Sequence, residues 1–197
     1  MAADLKTVRR TKMGANKPYF APITQENAGT FPTYGTVEAF SEFVSLSEAL
    51  EFAEASFYSN NRKSESSRVF KSGTLTYGNK GLSPDNIAKI YGAKLDENGE
   101  LHYGVNNAAP RIGFGFYREL EDNGVRYYEG VYYPSCKASL EGETDNTRGE
   151  NITYEGNTTV MEVYAIGNTE GDWKITDIFA TADEAEAWVK EKLGATA

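Results

Sequence analysis

Residues 44–58, VSLSEALEFAEASFY, constrain this chain more than any other stretch. Taken two at a time, Val44, Leu46, Leu50, Phe52 and Tyr58 fall on one side, interrupted by Glu48 and Glu54. Ser45, Ser47, Ala49, Glu51, Ala53 and Ala55 fall on the other. Propensity argues for a helix, because EALEFAEA consists of helix formers. The apolar set at 44, 46, 50 and 52 nevertheless follows alternation better than a three-or-four spacing, so a strand is expected. Such a strand has one greasy face and one that is nearly smooth and slightly negative. The second face suits a wall along which something slides and offers little to grip a ligand.

The rest of the chain points to β structure. Thirteen Tyr and ten Phe sit in alternating segments separated by many of the 19 Gly, and 197 residues suffice for one domain with a substantial core. The formal net charge of −9 is uneven. Lys6, Arg9, Arg10, Lys12 and Lys17 face only Asp4 within residues 1–17, so the remainder is more acidic than the whole. An acidic body repels nucleic acid at close range, which argues against sequence-specific DNA reading. Cys136 is alone, which rules out an intrachain disulfide and fits a reducing compartment. No apolar run follows Lys12, so no secretory leader is expected, and no run is long enough to span a membrane. Without a leader, the sequons at Asn151 and Asn157 carry little weight.

Residues 1–17 read as an arm and residues 18–197 as a single β domain. A short edge strand is expected at 19–23, ended or kept at an edge by Pro22. Strands at 44–58 and 70–77 flank a polar segment, residues 59–69, which reads as a long projecting loop. Ser83, Pro84 and Gly92 mark a short helix. Asn98-Gly99 marks a tight turn, and Asn123-Gly124 joins strands 111–120 and 125–133 into a hairpin. Further strands are expected at 158–166 and 173–179. Thr181 and Glu184 form a capping box opening a helix over 181–193, with Ala185, Trp188, Val189 and Leu193 on one face. The fold class expected is all-β to α+β: a β-sandwich or partial barrel with a flanking C-terminal helix and one short internal helix.

No enzymatic constellation emerges. His102, the single histidine, lacks triad partners in sequence and reads as a surface residue beside the turn. Cys136 reads as a half-buried strand cysteine despite its neighbour Lys137. Gly113-Phe114-Gly115 lacks the third glycine of a nucleotide loop, so its glycines are expected to admit a close neighbour such as a packed helix. Asp96, Asn98 and Glu100 echo a calcium loop without its spacing, and Glu141, Glu143, Asp145 and Glu150 read as a solvated acidic loop. One cysteine and one histidine cannot supply a zinc motif, so neither a metal nor a cofactor is expected. For the basic arm, docking through Lys6, Arg9, Arg10 and Lys12 onto the acidic surface of another copy stands against plain disorder, with nucleic-acid contact the least favoured of the three readings.

The order of motifs adds a resemblance. Tyr19-Phe20-Ala21-Pro22-Ile23-Thr24, Phe57-Tyr58-Ser59-Asn60-Asn61, Ile90-Tyr91-Gly92, Asp96-Glu97-Asn98-Gly99, Phe114-Gly115-Phe116 and Tyr132-Tyr133-Pro134-Ser135-Cys136 occur in succession. This succession resembles the major tail proteins of long-tailed bacteriophages, in particular the phi13-type family, from Tyr19 to Leu193. Where that family often carries Tyr-Ala-Asp-Asn, this chain has Tyr58-Ser59-Asn60-Asn61, so a role for the Asp has no support here.

The resemblance implies a structural virion protein: hexameric rings stacked into a tail tube for DNA ejection, with tape measure and tail terminator proteins as partners. It implies assembly in the host cytoplasm and no membrane association. Laid on this sequence, it makes Ser45, Ser47, Ala49 and Glu51 lumen-facing candidates. Arg62, Lys63, Glu65 and Arg68 become candidates for contact with the adjoining ring. A wall of small side chains gives DNA no phosphate fork, so the genome would pass without specific binding. Two alternatives remain: the tube of a contractile injection device, and a carbohydrate-binding β-sandwich using Tyr127, Tyr128, Tyr132 and Tyr133 as a platform.

Overall fold

The computed structural model describes residues 5–59, 62–142 and 156–195, with backbone alone over 56–66. A 3-10 turn at Leu5–Thr7 leads into β1 (Thr11–Gln25), the short strands β2 (Thr33–Tyr34) and β3 (Glu38–Ala39), and the long strands β4 (Phe43–Ser59) and β5 (Arg62–Asn79). Helix α1 (Pro84–Tyr91) precedes the small pair β6 (Lys94–Leu95) and β7 (Leu101–His102). The chain continues through β8 (Arg111–Asp122), β9 (Val125–Ser139), β10 (Asn157–Val163), β11 (Ile175–Phe179) and helix α2 (Ala182–Lys192). The fold is β-dominated α+β. One antiparallel sheet runs β2-β1-β8-β9-β10-β5-β4, with β3 beside β1 and β11 beside β9.

The turns follow from local chemistry. Asn123 (φ 52) and Gly124 (φ 80) are both left-handed, which a two-residue turn between twisted strands requires. The Ser83 side chain accepts the Asn86 N–H, Pro84 takes the first turn of α1, and Gly92 closes it at φ 73. Thr181 and Glu184 make the reciprocal capping box of α2.

The sheet curls so that β4 returns against β1, enclosing an aromatic core. Phe40 lies edge-on to Phe20 at 5.4 Å and to Tyr77 at 5.0 Å, with Phe114, Leu75, Met161 and Val163 completing the cluster. On the opposite face of β8 and β9, α2 lies on a glycine bed, as the Gly-Phe-Gly alternation implies. A Cβ at Gly115 would stand 2.7 Å from Val189 and 3.1 Å from the Val131 carbonyl oxygen, and one at Gly130 2.6 Å from Trp188. Gly115→Ala is therefore expected to lower stability by about 1–3 kcal/mol, read as a reduced denaturation midpoint. An unchanged midpoint would mean that the helix is not seated there.

Several expectations need correction. Residues 59–69 are not a long loop: β4 runs to Ser59 and β5 restarts at Arg62, paired with it through a bulge between Phe57 and Tyr58, while residues 60 and 61 lie outside the described residues. The 19–23 strand is the middle of the longer β1, and Pro22 does not end it; its outer carbonyl accepts Gly35 N–H. Residues 11–17 are the first half of β1, laid along β8, so only the preceding turn remains an arm. Within the chain that arm docks on its own body. Leu5 and Val8 pack against Leu120, Tyr127 and Ile178, Arg9 pairs with Asp122 at 3.8 Å, and Arg10 pairs with Glu129 at 3.3 Å. Lys6 belongs to the 3-10 turn, and Lys12 is an exposed residue of β1 opposite Leu120. Cys136 is fully buried, and burial pushes its thiol up, so it is an inert core residue. Glu143, Asp145, Glu150 and Asn151 lie outside the described residues, while Asn157 is exposed at the start of β10.

Lys17 adopts φ 49 and is held by Glu186 of α2, which also bonds Lys190 and Tyr19. Burial pushes the Glu186 carboxyl up, but the bonds from Lys17, Lys190 and Tyr19 outweigh it and hold it at about 2, against an ordinary 4.5. A depressed carboxylate stabilises the fold fully above its unfolded value and loses that contribution as the pH falls through its folded value. The stability gap between the wild type and Glu186→Gln is therefore expected to hold from neutral pH down to about 4.5 and to close towards pH 2. Denaturation at a series of pH values checks this; a gap surviving at the acid end would locate the effect elsewhere.

Candidate functional site

The pairing register aligns small residues of four strands on one face. Ser45 lies beside Gly78 and then Thr158, and Ser47 beside Thr76, Val160 and Ser139. Ala49 lies beside Thr74, Glu162 and Lys137, and Glu51 beside Ser72. All four residues singled out on β4 are exposed on this low-relief surface. A Cβ at Gly78 would meet the Ser45 hydroxyl at 2.4 Å, so anything larger there has to displace that side chain. The reverse face carries Leu46 and Leu50 toward buried Leu75, Tyr77, Met161 and Val163.

Glu48, which breaks the apolar alternation, is accounted for there. It receives Lys174 Nζ at 2.6 Å and the Tyr133 hydroxyl at 3.2 Å. Val44 departs from the alternation differently. A bulge between Phe43 and Ser45 turns it outward, 63% exposed, while Phe43 packs on Phe116 at 5.4 Å.

The smooth face is less acidic than its β4 row alone implies. A second bulge inserts Lys71 opposite Glu51, 3.5 Å from its carboxylate, and Lys137 stands in the same row as Glu162. A shallow depression of about 510 Å³ lies here between Glu51, Lys71, Thr74, Ser139 and Glu162. With cations and carboxylates interleaved, the face exerts little net pull on a polyanion.

Two backbone features accompany this face. Among the described residues, the outer edge of β4 pairs with no strand along its 17 residues. At ~3.3 Å per residue that edge is on the order of 55 Å long. A long, unpaired edge is a template for pairing with another chain. In addition, β10 supports β5 only over Gly73 to Asn79, so among the described residues the β4–β5 pair beyond Leu50 continues as a two-stranded ribbon. At its base Phe52 meets Phe70 edge-on at 6.2 Å, and Phe70 stacks on Trp173 at 4.6 Å. Arg68 pairs with Glu54 at 3.1 Å and lies over the Phe52 ring at 4.2 Å. Arg62, Lys63 and Glu65 fall on the ribbon's backbone, and their side chains lie outside those described. A two-stranded ribbon is marginal alone in water, and no third strand among the described residues supports this one.

The tyrosine platform is not available as a surface: Tyr127, Tyr132 and Tyr133 are buried. Sequence reasoning also missed the buried pair of Glu129 with Arg118, although alternation in VRYYEGVYY places Glu129 on the same side as Tyr127, Val131 and Tyr133. No helix among the described residues is long and apolar enough to cross a membrane. No protein-family model and no curated protein matches the chain.

Proposed function

We propose that this protein is the tube subunit of a long-tailed bacteriophage, assembling through strand pairing into stacked hexameric rings whose bore conducts DNA. The observation that carries this reading is the unpaired edge of β4 joined to an exposed face of Ser, Thr, Ala and balanced charge. Copies meeting edge to edge would close a continuous barrel, removing the sheet edge and placing Ser45, Ser47, Ala49 and Glu51 on its inner wall. The wall has neither a cationic fork nor a large apolar patch, so DNA gains nothing by stopping on it. The ribbon would reach the adjoining ring, with tape measure and terminator proteins meeting the finished tube in the virion.

Electron microscopy and analytical ultracentrifugation of the purified chain test this. Rings or tubes of uniform bore are the expected result. A strictly monomeric species at high concentration, with β4 amides exchanging freely with solvent, would count against it. The tube of a contractile device shares this physical basis, and the genes beside this one would separate the two.

A further inference from the structure

We propose that the β6–β7 hairpin is a binding site for a first-row divalent cation of the zinc class, held by Asp96, Glu100 and His102. The site is separate from the assembly surface and does not depend on the tube reading. Strand pairing creates it. Leu95 pairs with Leu101 and Lys94 with His102, which brings the imidazole back over the turn. The His102 Nε2 atom stands 3.8 Å from Asp96 Oδ2 and 3.8 Å from Glu100 Oε2, and the three donors lie within 4.8 Å of one another. Those separations are too long for hydrogen bonds. They are close to the roughly 3.4 Å between donors that surround one ion at about 2.1 Å. Rotation of the exposed Glu100 side chain closes the difference.

The turn prepares its ligands. Asp96 Oδ1 accepts the Asn98 N–H at 2.9 Å and the Glu100 N–H at 2.8 Å, which leaves Oδ2 directed at the imidazole. Asn107 Nδ2 donates to the His102 carbonyl at 3.0 Å and fixes the end of β7. Two carboxylates and one imidazole nitrogen suit a dication. The nitrogen ligand favours zinc-like ions over calcium, which needs six or more oxygens. The sequence conceals this because it has no paired Cys or His; the third ligand is supplied by the register of two-residue strands.

The full chain is titrated with zinc chloride, followed by calorimetry and by the NMR signal of its single histidine. One saturable site that shifts the His102 resonances is expected. His102→Ala and Glu100→Gln, both at exposed positions, are expected to weaken it at least about tenfold while leaving the circular dichroism unchanged. The proposal is overturned if His102 is unmoved up to about millimolar zinc, or if His102→Ala binds as well as the wild type. Calcium displacing zinc at equal concentration would likewise overturn it, since that marks an acidic surface without selectivity.

Discussion

Replacing residues 53–69 with a two-residue turn that joins Phe52 to Phe70 is expected to give a folded monomer unable to form rings or tubes. The cut removes ribbon that no third strand supports and keeps the register from Leu50 and Gly73 onward. It also keeps the Phe70–Trp173 stack. Little described apolar burial is lost, so the denaturation midpoint is expected to move by the equivalent of about 1 kcal/mol or less. Assembly, by contrast, is expected to vanish, because in the proposed tube the ribbon carries the contact with the adjoining ring. Sedimentation and microscopy read the outcome. Tubes forming at the wild-type concentration would show that the ribbon is dispensable and would move the ring-to-ring contact elsewhere.

The second large effect lies in the core. Glu129 is fully buried, receives Arg118 Nε at 2.5 Å across the β8–β9 ladder, and meets Arg10 of the arm at 3.3 Å. Removing one partner of a buried ion pair strands the other in a medium that solvates it poorly. Glu129→Ala is expected to cost about 3–5 kcal/mol, because Arg118 is left with only 15% of its side chain exposed. The double variant Glu129→Leu with Arg118→Met should recover much of that loss, since it leaves no unpaired charge in the interior and Arg10, 57% exposed, stays in water. Chemical denaturation of the two variants supplies the comparison. If both lose the same amount, shape and not charge is what Glu129 provides.

How far the sequence revealed this depends on where burial imposes a period. Residues 44–52 face core on one side and water on the other, so alternation overrode the helical propensity of EALEFAEA. The caps of α1 and α2, the Asn123-Gly124 turn and the glycine bed under α2 were legible for similar reasons, since each needs a particular residue at a particular place. Residues 62–69 and 11–17 were illegible as strands. The described side chains there are almost all exposed, and a strand wet on both faces leaves no hydrophobic alternation. Val44 and Lys71 could not be placed because a bulge shifts parity without any marker of its own. The charge balance of the smooth face was misjudged for the same reason, as Lys71 reaches it only through the bulge. The His102 cluster required a pairing register, which spacing along the chain does not contain.

The stack of Trp173 on Phe70 gives this chain a built-in optical reporter. Trp173 sits at the root of the ribbon, whereas the other indole, Trp188, is committed to α2 against Gly130 and Phe179. With Trp188 changed to Phe, tryptophan emission would come from a single indole at the root of the ribbon. A change in packing at that root could then be followed in real time without attaching a dye.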